Sequence, residues 1–219
     1  MLDRNKVEAV LFDLDGTLMD TDDQAVEKLA HQLERLRWPR PHRTARRLVM
    51  AAETPGNALI TLIDVLGLDA PLASLTNRLY RWRGLRNRSS FRIVADAEQM
   101  LAELNGRYRL AVVTTRGLGD AEAFLAQYNL LGLFEVVVTR ESTWRLKPHP
   151  APVRHAARQL GVPVERCAMV GDTSVDVKSA RRAGAWAVAV LCGFGERGEL
   201  ARAGAHVVLE HTSLLSSLL

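Results

Sequence analysis

Residues able to do chemistry recur in this sequence at the ends of short apolar runs. Val7–Phe12 ends at Asp13-Leu14-Asp15-Gly16-Thr17, Leu110–Val113 at Thr114-Thr115-Arg116-Gly117, and Cys167–Val170 at Gly171-Asp172-Thr173-Ser174-Val175-Asp176. A fourth run, Phe134–Val138, is followed after a loop by Lys147-Pro148. One aspartate at a strand end is usually a cap for the next turn or helix. Two of them on neighbouring strands, about 5 Å apart, repel each other unless a cation lies between them. Asp13 and Asp172 are such a pair. Oxygen donors with no His or Cys nearby favour Mg²⁺. Threonine is common inside strands, but at the same sheet edge the Thr114 hydroxyl and the following N–H suit a phosphate oxygen. Lys147, placed in its loop by Pro148 and Pro150, can bring positive charge to a phosphoryl group and to a carboxylate.

This reading requires a scaffold that gathers strand ends along one edge. After Arg92, short β-rich runs alternate with helical patterns: helix 95–105, strand 110–113, helix 119–130, strand 134–138, helix 150–160, strand 167–170, helix 174–183, strand 186–191, helix 198–203, strand 206–209 and a last short helix. That alternation indicates an α/β fold with a parallel sheet, and ligands of such sheets bind beyond the carboxyl ends of the strands. From about Thr21 to Arg92 no strand is expected. Val26, Leu29, Ala30, Leu33 and Leu36 recur at helical spacing, and further helices are expected over 44–52, 57–66 and 71–86, with a turn at Thr54-Pro55-Gly56-Asn57. The expected organisation is a core of residues 1–20 and 92–219 carrying an inserted all-helical domain of residues 21–91.

Composition narrows the class. Of 219 residues, 47% are hydrophobic and 25% charged, as in ordinary globular proteins. No run approaches the roughly 18 to 20 apolar residues of a membrane helix, and the charged N-terminus lacks the pattern of a signal peptide. A cytoplasmic protein with no membrane partner is expected. Cys167 and Cys192 belong to no CxxC or Cys/His cluster and lie in apolar runs, so free thiols are expected. Residues 20–92 hold 13 Lys and Arg against 8 Asp and Glu, whereas the remainder holds 16 against 17. The positive excess thus falls in that segment, in two arginine groups spanning 35–47 and 78–92. Most of these arginines would be solvated surface; as a field they would attract an anionic substrate. No stacking aromatics accompany them in a recognised module, so nucleic acid is not expected.

Residues 10–18, Val-Leu-Phe-Asp-Leu-Asp-Gly-Thr-Leu, together with Thr114, Lys147-Pro148 and Gly171-Asp172-x-x-x-Asp176, resemble the four motifs of the haloacid dehalogenase superfamily, in order. The resemblance is closest to phosphoglycolate-phosphatase-like members and extends to Gly193-Phe194-Gly195 and Glu199–Ala205. It implies a Rossmann-like core with a helical cap inserted after the first motif. It also implies a Mg²⁺-dependent phosphatase acting on a small anionic phosphorylated metabolite, such as phosphoglycolate or a sugar phosphate. Asp13 would attack phosphorus and carry the phosphoryl group, and Asp15 would exchange protons with the leaving oxygen and the water. Gly16, Thr114, Thr115 and Lys147 would bind phosphate. Asp13, Asp15 through its carbonyl, and Asp172 would bind the metal, supported by Asp176. The acid at position 15 separates this pattern from dehalogenases and phosphonatases. An inorganic pyrophosphatase and a β-phosphoglucomutase-like mutase remain open alternatives, as do a monomer and a homodimer. Thr115 and Arg116 stand where related enzymes often have Asn and Lys, which leaves the phosphate contacts there open.

Overall fold

The computed structural model describes residues 6–20, 31–35, 38, 41, 44 and 91–219. The chain divides into two compact units, Met1–Thr21 with Phe91–Leu219, and Asp22–Ser90. In the second unit residues 31–35, 41 and 44 are helical. The rest of the helices expected over 25–36, 44–52, 57–66 and 71–86, and the turn at 54–57, lie outside the described residues.

The first unit contains β1 (Ala9–Phe12), β2 (Met19–Asp20), β3 (Arg92–Ile93), α1 (Ala97–Leu104), β4 (Arg109–Val113), α2 (Leu118–Gln127) and β5 (Val136–Val138). It continues with α3 (Ala151–Gln159), β6 (Cys167–Gly171), α4 (Ser174–Ala183), β7 (Trp186–Val190), α5 (Arg197–Ala203), β8 (Val207–Leu209) and α6 (Leu215–Leu218). Six strands form one parallel sheet in the order β5-β4-β1-β6-β7-β8. Each strand after β1 follows a helix or a crossover, as parallel pairing demands. β1 is central, with Phe12 in register with Val112 on one side and Val170 on the other. Asp13, Thr114 and Asp172 directly follow the last residues of β1, β4 and β6 respectively. They are therefore brought to a common edge.

The period-two pattern of the strands divides the core. Val10, Phe12, Leu110, Val112, Val170 and Val188 face one layer with Met100, Leu101 and Leu104 of α1 and Phe124 and Leu125 of α2. Ala9, Leu11, Ala111, Val113, Met169, Ala187 and Ala189 face the other, with Val153 and Ala156 of α3, Val177 and Ala180 of α4 and Leu200 of α5. Small residues on the second face let those helices approach the sheet closely. Phe12 is fully buried and meets Phe134 edge to face, with ring centroids 6.3 Å apart. Truncating such a ring to alanine costs about 3–5 kcal/mol, so β1 is anchored immediately before Asp13.

The structure bears out the α/β sheet and shows a small ribbon apart from it. Met19–Asp20 and Arg92–Ile93 form a two-stranded antiparallel ribbon, so Arg92, placed at the edge of a strand-free segment by sequence, is itself in a strand. Two residues are too few to display any periodicity. Cys167 and Cys192 are both free thiols. Among the described residues no helix is long and apolar enough to cross a membrane.

Candidate active site

The end of β1 places Asp13 by extending the sheet: its N–H donates to Val170 O at 2.9 Å. Its side chain then meets Lys147, whose Nζ lies 2.9 Å from Asp13 Oδ1. The same Nζ donates to Asp176 Oδ1 at 2.6 Å and to Val113 O at 2.9 Å. All three ammonium protons are thus directed, and the lysine is fixed between β4, β1 and α4. Asp176 sits in the first turn of α4, where Thr173 N–H and Thr173 Oγ1 both donate to its Oδ2 at 3.1 and 2.5 Å. A helix cap and an ion pair therefore share one carboxylate. Burial opposes the charge on Lys147, but Asp13 and Asp176 more than offset this and hold its pKa above the ordinary lysine value.

Asp172 is fully buried where β6 ends. The loop after β7 closes over it. Phe194 N–H donates to Asp172 Oδ2 at 2.6 Å. A Cβ on Gly193 would fall 2.1 Å from that same oxygen, and one on Gly195 would fall 2.1 Å from the Asp172 carbonyl oxygen. Gly16, at φ +69, presents the same problem from the first loop, 2.4 Å from Asp172 Oδ2. The backbone can therefore wrap the carboxylate only as glycine. Asp172 Oδ1 is left buried with no hydrogen-bond partner.

A buried acceptor without a donor is costly, and its surroundings indicate what satisfies it. Asp13, Asp172 and Asp176 each offer an oxygen within 4.8 Å of the others. Burial raises the Asp172 pKa well above the carboxylate range, with Asp176 and Asp13 adding to the rise and the Phe194 N–H and Lys147 opposing it. Burial likewise pushes Asp13 up to about 7, against the pull of Lys147. When ionised, three carboxylates face one ammonium, leaving two negative charges uncompensated. An all-oxygen donor set with that residual charge fits a hard divalent cation.

The other half of the edge is more open. Thr114 extends the ladder through its N–H to Val138 O at 2.9 Å, and its Oγ1 accepts the Arg116 N–H at 3.1 Å. Its own O–H has no acceptor among the described residues. Thr115 is half-buried beside it. Asp15 does not join the three clustered carboxylates. Arg116 grips it instead, Nε reaching Oδ1 and Oδ2 at 2.9 and 2.8 Å and Nη2 reaching Oδ1 at 2.6 Å. A guanidinium fork on a carboxylate is among the stronger side-chain pairings.

This geometry coincides with a family match. The sequence matches the haloacid dehalogenase-like hydrolase family over residues 10–190. The chain belongs to that family. Within the haloacid dehalogenase-like hydrolases it is phosphoglycolate-phosphatase-like. It is 32% identical to a plasmid-encoded phosphoglycolate phosphatase of Cupriavidus necator, over 96% of this chain and 92% of that one. It is 29% identical to the pyrophosphatase PpaX of Bacillus cereus, over 84% and 83% of the two chains. In structure it is similar to a haloacid dehalogenase-like hydrolase from Streptococcus pneumoniae, with a TM-score of 0.70 and 22% identity over 98% and 100% of the two chains. The match includes both halves of the site, from Asp13 to Asp176.

Sequence reasoning located Asp13, Asp172, Asp176 and Lys147, and the fold brings these four together. It located Thr114, Thr115 and Gly16 at the same edge. It missed what Arg116 and Phe194 do. Arg116 registered only as a departure from the usual residue, although a basic side chain two positions beyond Thr114 at a strand end was a signal. Phe194 acts through its N–H, which no side-chain pattern reveals.

Proposed function

We propose that this haloacid dehalogenase-like hydrolase is a Mg²⁺-dependent phosphatase of small phosphorylated metabolites, and that residues 1–20 and 92–219 are its catalytic core and 21–91 its cap. The observation that carries the reading is the Asp13 carboxylate, held at the end of the central strand by Lys147 at 2.9 Å and clustered with Asp172, one of whose buried oxygens has no hydrogen-bond partner. In the first step the other Asp13 oxygen attacks phosphorus, and the bond from phosphorus to the leaving oxygen breaks while Asp15 gives that oxygen a proton. In the second, water attacks the phosphorus of the aspartyl-phosphate, Asp15 takes its proton, and the Asp13–phosphorus bond breaks. Thr114 donates its O–H, and Thr115 its N–H, to non-reacting phosphate oxygens, with Gly16 leaving room for the backbone to approach. Lys147 keeps the nucleophile oriented and offsets charge on the phosphoryl group. Asp13, Asp172 and the Asp15 carbonyl would hold Mg²⁺, with Asp176 behind them; when bound, the ion neutralises phosphoryl charge.

Phosphoglycolate is the leading substrate class, supported by the Cupriavidus relative, and inorganic pyrophosphate is the second reading, supported by the Bacillus one. A cytoplasmic setting suits such substrates. The test is release of free phosphate from a panel of phosphoesters and pyrophosphate with Mg²⁺, by the wild type and Asp13→Asn. The wild type should release phosphate and the variant should not. Conversion of a sugar phosphate without release would reassign the chain as a mutase, and full activity of Asp13→Asn would remove the covalent mechanism.

A further inference from the structure

Asp15 takes one edge of the Arg116 guanidinium, the edge formed by Nε and Nη2. A guanidinium has a second bidentate edge, formed by its two terminal nitrogens. Among the described residues Nη1 of Arg116 has no partner, and the side chain is 29% exposed to solvent. Asp15 therefore does not merely pair with Arg116; it fixes the plane of the fork and leaves the end-on edge presented.

From this we infer that Arg116 is a substrate-binding residue that reads a second anionic group on the leaving side of the phosphoester. The inference rests on the proposed role of Asp15 at the leaving oxygen. A side chain bonded to Asp15 at 2.6–2.9 Å lies beside whatever is attached to that oxygen. A carboxylate one carbon away, or a second phosphate joined directly, matches the fork in charge and planarity or in oxygen spacing. An uncharged alcohol such as a sugar leaves the edge unused. The substrate class is thus a compact phosphate carrying a second anion within a bond or two of the scissile oxygen. The core itself carries this selection, whatever the arginines at 35–47 and 78–92 add.

The experiment measures binding apart from turnover. In the Asp13→Asn background with Mg²⁺, calorimetry compares phosphoglycolate and pyrophosphate with ethyl phosphate, which has no second anion. Arg116 should favour the first two by about tenfold or more, the scale of one charge-assisted pair. Arg116→Met should collapse that preference to within about threefold, and Arg116→Lys, a point charge without a fork, should retain only part of it. If Arg116→Met is unfolded by circular dichroism, Arg116→Gln takes its place. A preference that survives the variant, a wild-type site with no preference, or an equal loss for all three ligands overturns the inference. Phosphate release from p-nitrophenyl phosphate by the wild type is assayed separately. Its absence would count against the phosphatase reading, while the binding comparison would still decide the role of Arg116.

Discussion

Asp13, Lys147, Asp172 and Asp176 are each 7% exposed or less, whereas the side chains of Asp15 and Arg116 are 27% and 29% exposed. Both groups are ion-paired, yet they are built for different tasks. The buried side is packed between the central strands, its lysine protons all directed and its carboxylates excluded from water. Electrostatic interactions there are strong and any unpaired member is expensive. The open side holds one fork at the surface, where screening weakens the pair and a ligand can reach it. Under the proposed function, the phosphoryl chemistry belongs to groups that cannot rearrange. The proposed recognition of the leaving group then falls to groups that can.

Removing one member from each side separates the two groups most directly. Asp13→Asn should lower phosphate release at least about a thousandfold, while Arg116→Met should act chiefly on KM; a larger kcat loss in the second would reverse the assignment. Next in size is Lys147→Met, which leaves Asp13 and Asp176 buried and facing each other. Chemical denaturation at pH 8 should show a loss of about 3–5 kcal/mol. The loss should shrink at pH 5, where a carboxylate can take up a proton instead.

A pH series without metal probes the buried side alone. Asp13 is raised from 3.8 to about 7, so between those values the folded chain holds a proton that the unfolded chain has released. Stability contributed by this group is full below about 4 and declines as pH rises through about 7, by on the order of a few kcal/mol. The raised Lys147 keeps its proton throughout this window and does not reverse the sign. Thermal denaturation in EDTA should therefore show falling Tm from pH 5 to 8. Added Mg²⁺ should restore more at pH 8 than at pH 5; the opposite trend would mean that Asp13 is ionised without the ion. The smallest effect separates two glycines of one loop and helix. A Cβ at Gly193 collides with Asp172, whereas a Cβ at Gly198 on α5 meets nothing within 4 Å. Gly193→Ala should weaken Mg²⁺ binding about tenfold, and Gly198→Ala should leave it unchanged and add about 0.5–1 kcal/mol of stability.

What could be read beforehand follows from the range of the forces involved. Strands β1, β4, β6 and β7 were legible because apolar runs bounded by helical patterns carry a local signal, and α4 was legible from Ser174 to its end at Gly184, though not its Thr173 cap. Asp13 and Asp172 were legible because strand ends in a parallel sheet share an edge whatever the loops do. The pairing of Arg116 with Asp15 joins residues 101 positions apart, and the Phe194 N–H reaches back 22 positions to Asp172. Such contacts depend on where two loops come to rest, and the residue types alone left several partners open. The Asp176 carboxylate shows the same limit: the resemblance marked it as a metal support, but only the fold reveals that it caps α4 and that Lys147 already occupies one of its oxygens.

The ribbon of β2 and β3 has a consequence for how such chains diversify. Met19 lies opposite Ile93 and Asp20 opposite Arg92, so the chain leaves the first unit and re-enters it at adjacent points. The closure entropy of an excursion grows only slowly with its length once its ends are fixed together. A segment inserted between such ends can lengthen, shorten or be exchanged wholesale with little thermodynamic effect on the sheet, which makes this clasp a natural point for grafting new specificity onto an unaltered reaction centre.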